Sequence, residues 1–249
     1  MQRNIRLTLE YDGTNFKGWQ VQPGERTVQG ELETGLQRLF GLPLRTIAAG
    51  RTDSGVHALG QVANFLTASH LAVGRIQAAL NALLPDDIVI RETGEVPLDF
   101  HARFDAKRRE YLYRIGYRQR AVGRGYAWWI RNPLDLEAMQ EAAASLLGHH
   151  DFTSFCVAAS ERDNRECHLF ECVWQQREDE LHLRIEANRF LRSMVRGIVG
   201  TLVDIGRGAR SADDMSWILE ARDRGSAGPS APPQGLFLMR VTYADHPGG

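Results

Sequence analysis

Between residues 48 and 65 the chain reads AAGRTDSGVHALGQVANF. Two apolar, β-prone stretches flank a turn that carries Arg51, Thr52, Asp53, Ser54, Gly55 and His57. A hairpin needs only a two-residue turn such as Asn-Gly, so an arginine, an aspartate and a histidine crowded together raise the question of chemistry. If the strand runs on through 51–53, Arg51 and Asp53 point to one face. A guanidinium beside the carboxylate favours its ionised form, which suits a nucleophile or base better than a proton donor. Asp-Ser-Gly also makes an ordinary turn, because an aspartate bonds its own backbone two residues on. Aspartic-protease chemistry needs two such aspartates sharing a proton. The chain has no second Asp-Ser-Gly or Asp-Thr-Gly, so only a second copy of it could supply one. For His57 the pattern suggests hydrogen bonding within the loop and no firm catalytic role.

Two further stretches could meet a polyanion. From Arg103 to Arg124 eight cations (Arg103, Lys107, Arg108, Arg109, Arg114, Arg118, Arg120, Arg124) face two carboxylates, Asp105 and Glu110, on a chain whose net charge is only −1. Phe104, Tyr111, Tyr113, Tyr117, Tyr126, Trp128 and Trp129 interleave with them. A local basic stripe with aromatic rings suits RNA, whose splayed bases stack on such rings. The same residues also make a solvated face and strand core, with Tyr111 and Tyr113 on one side of a strand. Farther on, a helix expected from Arg189 buries Leu191, Met194, Val195, Ile198 and Leu202 at core spacing. Its opposite face would carry Arg189, Arg192 and Arg196, in register for phosphates or simply for water.

Composition narrows the field. Hydrophobic content of 43% and charged content of 24% are those of a globular protein. No run approaches the roughly 18–20 apolar residues of a membrane helix, and the start, MQRNIRLTLEYDG, has no signal core. The expectation is a cytoplasmic protein with no membrane contact. Cys156, Cys167 and Cys172 lack CxxC spacing and read as reduced thiols. His57, His101, His149, His150 and His168 show no zinc pattern, and no phosphate-binding or dinucleotide loop is present. Neither a metal nor a small-molecule cofactor is expected.

These residues need a frame. NIRLTLEYD alternates as a strand; a helix capped by Thr27 carries Val28, Leu32, Leu36, Leu39 and Phe40 and stops at Gly41 and Pro43. Strands at about 44–50 and 60–66, a helix at about 74–84 and a strand in DDIVIRETGEV complete a β-α-β-β-α-β order. The second half repeats it. REYLYRIGY is a strand, and DLEAMQEAAASLLG is a helix closed by Gly148. ECVWQQREDELHLRIEA is a hairpin turning at Glu178 to Glu180. The helix from Arg189, a helix in SADDMSWILEARD and a strand in GLFLMRVTY follow. The expected fold is α+β: two tandem ferredoxin-like units, residues 1–105 and 106–249, forming a continuous, mainly antiparallel sheet with helices on one face. The long connections are about 96–108 and 222–235, the latter rich in Gly, Pro and Ser.

Taken in order, YDGTNFKGWQVQP, TVQGELE, GRTDSGVHALGQVANF, NALLPDDI, FHARFDAKRREYLYRI, HDFTSF, EANRFLRSMVRGIVGTL and APPQGLFL span nearly the whole chain. Together they resemble the tRNA pseudouridine synthase A family, enzymes that isomerise uridines of the tRNA anticodon stem-loop (tRNA positions 38–40). The resemblance implies that Asp53 is the catalytic aspartate, that Tyr111 packs beside the target base, and that Arg196 pairs with the aspartate. Arg51 matches the arginine before it. Ser54 stands where the family pattern commonly has alanine, a change of one hydroxyl. The resemblance also implies a homodimer with a basic RNA cleft and no cofactor. The basic stretch 103–124, with Lys107 and Arg108, and the Arg189–Arg192 face are the candidates for contacts to the RNA backbone. Asp53 could attack C1′ or C6 of the uridine, or remove a proton at C2′. The alternative is a catalytically silent RNA-binding module.

Overall fold

The structure is a computed structural model, and it describes residues 1–157 and 164–244. It is a mixed α+β fold of two compact units, one spanning Met1–Lys107 together with the chain from Leu238 onward, the other Arg108–Phe237. The terminal strand, expected in the second half, thus has most of its residues in the first unit.

In the first unit β1 (Arg3–Tyr11), α1 (Val28–Phe40), β2 (Ile47–Ala48), β3 (His57–Thr67), α2 (Val73–Leu83) and β4 (Ile88–Val96) follow one another. β1 lies between β4 and β3, antiparallel to both, and β2 is antiparallel to β3. The last strand, Leu236–Tyr243, lies along β3 in the same sheet. Ile5, Leu7 and Leu9 are fully buried, as their alternation predicts. Thr27 caps α1 by accepting from Gly30 N at 3.2 Å, and Gly41, in the left-handed region, ends it.

The strand expected over 44–50 shrinks to two residues. Its upstream part bonds to a helix side chain instead: Glu33 Oε1 accepts from Thr46 N at 2.9 Å and from Thr46 Oγ1 at 3.1 Å. β3 begins at His57, earlier than expected, so His57 is a buried strand residue and the turn before it is shorter.

The second unit contains most of β5 (Ala106–Gly116), then β6 (Trp128–Trp129), α3 (Leu136–Ala144), β7 (Gly148–Asp151), β8 (Glu166–Arg177), β9 (Glu180–Ala187), α4 (Met194–Gly206) and α5 (Asp214–Ala221). β5, β9, β8 and β7 are successive antiparallel neighbours, while β6 runs parallel to β5. The β8–β9 hairpin turns on Glu178 and Asp179, with Glu178 at φ 51° as a tight two-residue turn demands.

Two expectations fail here. Gly148 does not close α3: the helix ends at Ala144, tightens through Leu146 N→Ala143 O and Leu147 N→Ala144 O bonds, and Gly148 at φ 98° opens β7. α4 starts at Met194 rather than Arg189, because Ser193 adopts φ 59° and breaks the helical run. Leu191 is buried in the preceding loop, which is why it fits the helical stripe without belonging to the helix.

Candidate active site

The Asp53 turn is clamped by the loop that follows β1. Trp19 N donates to Thr52 O at 3.1 Å, and Gly55 N and Ser54 Oγ both donate to Phe16 O, at 3.3 and 3.1 Å. Val56 N closes the turn onto Asp53 O at 3.2 Å. Two glycines permit the approach. A Cβ on Gly13 would stand 2.0 Å from Val56 O, and one on Gly18 would stand 2.7 Å from Thr52 O. Arg51 is exposed, Thr52 buried and Asp53 half-buried, so the side chains alternate although residues 51–53 are not part of a strand. The hydroxyl of Ser54 anchors the turn to Phe16 O.

His57 has a structural place. Its Nδ1 lies 3.0 Å from Gly13 N and 3.1 Å from Asp12 Oδ1. The Nε2–H tautomer accepts from Gly13 through the Nδ1 lone pair, whereas a ring with its hydrogen on Nδ1 donates to Asp12 instead. Either way the ring ties the start of β3 to the loop after β1. Sequence reasoning missed a second tie. Beneath the turn, the Tyr11 hydroxyl lies 2.8 Å from Thr52 Oγ1, and Gln61 Nε2 donates to Gly50 O at 2.8 Å. The only sequence signal for it is polar Gln61 inside an apolar strand.

In the second unit Tyr111 and Tyr113 sit on one face of β5, opposite Ile185 and Leu183 of β9. Tyr111 is 8% exposed and meets the Phe190 ring edge-on at 5.2 Å. Tyr113 is fully buried and donates to Pro232 O at 2.8 Å. Burial pushes its phenol pKa well up, against the opposing charge of Arg196. Arg196 lies on α4, where its Nε donates to Ala231 O at 2.7 Å and its backbone O accepts from Ala231 N at 2.9 Å. Gly200, one turn on, touches the same segment: a Cβ there would stand 1.7 Å from Pro229 O. The Gly/Pro/Ser-rich stretch 222–235 is therefore stitched to α4 and β5.

Arg189 and Arg192 lie before α4, not on its face beside Arg196. Arg189 donates to Asn164 O at 3.2 Å, and Arg192 is exposed. The basic stretch 103–124 is also less cationic than its sequence, because antiparallel pairing brings the acids of β9 and its turn to β5. Arg108 pairs with Glu186 at 2.7 Å and lies over the Phe170 ring at 4.2 Å. Arg114 is bidentate to Glu180 at 2.9 Å, Arg118 meets Asp179 at 3.3 Å, and Arg120 bonds both Asp179 and Glu180. Arg109 is buried and donates to Asn188 O at 2.6 Å. Lys107 is exposed. Among the described residues, no three His, Cys, Asp or Glu side chains converge as metal ligands, and no helix is long and apolar enough to cross a membrane.

The model of the tRNA pseudouridine synthase family matches this chain over residues 8–105 and 142–244. The chain belongs to the tRNA pseudouridine synthase family. Among its curated relatives, the tRNA pseudouridine synthase A of Geobacillus sp. (strain WCH70) is 48% identical over 98% of this chain and 99% of its own length. That of Halalkalibacterium halodurans is 48% identical over 96% of this chain and 92% of its own length. That of Anoxybacillus flavithermus is 46% identical over 97% and 99%. A solved archaeal box H/ACA sRNP Nop10–Cbf5 complex is a distant structural match: TM-score 0.36 and 11% identity over 89% of this chain and 59% of that one. Arg51, Asp53, Arg189, Arg192 and Arg196 fall inside the span matched by the tRNA pseudouridine synthase model; Lys107, Arg108 and Tyr111 fall in the stretch between its two parts.

Proposed function

We propose that this chain isomerises uridine to pseudouridine in the anticodon stem-loop of tRNA, with Asp53 as the catalytic carboxylate. The observation that carries this reading is the Asp53 turn, half-open to solvent yet fastened on both sides by the loop after β1. A rigid mount of this kind is what a reacting carboxylate requires.

The reaction breaks the N1–C1′ bond, turns the uracil, forms the C5–C1′ bond and moves a proton from C5 to N1. Atoms and electrons balance within the nucleotide, so no redox partner or group donor is needed. Asp53 suits attack at C1′ or C6 and proton removal at C2′ alike. In this reading Arg51 and Arg196 are the cationic partners of the carboxylate. Tyr111 lies against the freed base, which is first flipped from the stem-loop. Lys107, Arg108, Arg189 and Arg192 meet the RNA backbone. The reading also takes the two units as tandem ferredoxin-like halves, the active protein as a homodimer, its location as the cytoplasm and its needs as free of any cofactor.

The test is incubation of the protein and its Asp53→Asn variant with an unmodified tRNA transcript, no cofactor added, followed by mapping of pseudouridine. The wild-type chain is expected to form it and the variant to bind tRNA without forming it. A wild-type chain that binds tRNA and leaves it unchanged would instead be a silent RNA-binding module. A variant as fast as the wild type would remove Asp53 from the chemistry.

A further inference from the structure

We propose that Tyr11 and Gln61 are positioning residues for the Arg51–Asp53 turn, acting through Thr52 and Gly50. The proposal rests on the reading of Asp53 as the catalytic carboxylate.

The three side chains form one buried hydrogen-bonded chain: Tyr11 is 2% exposed, Gln61 0% and Thr52 6%. Gln61 Oε1 accepts from Val62 N at 3.1 Å, which fixes which end of the amide is the donor. Its two amide hydrogens are then both used, one on Gly50 O at 2.8 Å and one on the Tyr11 hydroxyl oxygen at 3.4 Å. The Tyr11 hydroxyl, which accepts from Gln61, also shares a hydrogen bond with Thr52 Oγ1 at 2.8 Å, in which either oxygen can donate. Burial pushes the Tyr11 phenol up to about 12, against the lowering effect of the Thr52 and Gln61 hydrogen bonds. From the other side, Thr52 O accepts from Trp19 N at 3.1 Å.

The bonds fall on the residues either side of Arg51 and on the residue just before Asp53. Apolar side chains of the same shape would fill this space with no desolvation cost. What the polar chain adds is direction, because each bond fixes an orientation as well as a distance. It defines the backbone from Gly50 to Thr52, from which Arg51 and Asp53 project. Among the described residues, the hydroxyls of Tyr11 and Thr52 bond to each other and, for Tyr11, to Gln61 Nε2.

The experiment compares Tyr11→Phe, Thr52→Val, the double variant and Thr52→Ser with the wild-type chain. It reads kcat and KM on an unmodified tRNA transcript, with thermal unfolding alongside. Misplacing a catalytic group by a fraction of an ångström to an ångström costs up to about 10²-fold, so Tyr11→Phe and Thr52→Val are each expected to lose roughly 10- to 100-fold in kcat with KM within about twofold. The double variant should be no slower than the slower single one, because Tyr11→Phe already deletes the Tyr11–Thr52 bond that Thr52→Val removes, along with the longer one from Gln61. Thr52→Ser, which keeps the hydroxyl, should restore most of the rate. Should Tyr11→Phe fail to fold, the Thr52→Val and Thr52→Ser pair reads the same bond. A wild-type kcat in the hydroxyl-deleting variants, additive losses in the double variant, or a loss that appears only in KM would each overturn the proposal. Asp53→Asn in the same series separates the two claims. If it is inactive while Tyr11→Phe and Thr52→Val are at full rate, the positioning role fails and Asp53 stands. If it is active, the reading of Asp53 itself fails.

Discussion

Gly18 lies so close to Thr52 that a Cβ added to it would stand 2.7 Å from the Thr52 carbonyl oxygen. Gly18 also holds φ +87°, where an L side chain is strained. The neighbour is backbone, so it cannot turn aside, and the displaced peptide is the one next to Asp53. Gly18→Ala is expected to cost about 2–3 kcal/mol of stability from strain and displacement together, and to lower pseudouridine formation further than this stability loss explains. Gly24 is the control. It has φ +75° and open space around the added Cβ, so Gly24→Ala should cost only about 1 kcal/mol and leave the rate intact. Equal rates for the two variants would show that the Gly18–Thr52 approach does not govern the turn.

Glu180 makes the stability of the second unit sensitive to acid. Burial by itself raises its pKa, but the Arg114 and His182 hydrogen bonds and the charges of Arg114 and Arg120 outweigh that and hold it at about 2, below its ordinary 4.5. The folded state therefore binds fewer protons at this site than the unfolded chain between the two values. The stabilisation is complete above the unfolded pKa and is lost as pH falls toward the folded one. Denaturant midpoints measured between pH 6 and about 2 should fall most steeply below about 4.5. Glu180→Gln should remove this site's share of the slope and cost about 3 kcal/mol at neutral pH, the low end for removing one partner of a buried pair. An unchanged acid slope in that variant would remove Glu180 from the account.

Arg192 and Arg108 should behave differently on RNA. Arg192 is exposed in the turn before α4, so Arg192→Ala should weaken tRNA binding by a single phosphate contact. The slope of log K against log salt should fall by roughly 0.7–0.9. Arg108 pairs with Glu186, so Arg108→Ala both removes a cation and uncovers a carboxylate. It is expected to weaken binding more than Arg192→Ala. Filter binding at several salt concentrations measures both, and a salt slope unchanged by Arg192→Ala would take that residue off the RNA.

The local choices of this chain were open to reading because short-range physics makes them. Thr27 and Gly41 bound α1 through hydrogen bonds and φ values that lie within a few residues of each other. Ile5, Leu7 and Leu9 bury one face of β1 through the two-residue period of a strand. The family pattern, with Asp53 and Arg51 at its centre, is likewise a property of the sequence. Where local signals compete, the sequence misleads. Leu191 fits a helical stripe while lying in a loop, because burial alone cannot tell a helix from a turn that ends at a left-handed Ser193.

What only the tertiary structure decided lies far apart along the chain. The basic stretch 103–124 looks like an open cationic stripe until β5–β9 register sets Asp179, Glu180 and Glu186 against four of its arginines. His57 has no evident task until folding brings it against Asp12 and Gly13. Tyr11, Thr52 and Gln61 are three unremarkable residues on separate segments until β1 and β3 pair beneath the Asp53 turn. The physical reason is common to all of them. Spacing along the chain reports which residues share a face, whereas hydrogen bonds and ion pairs depend on which faces meet, and that is set only when the whole sheet is assembled.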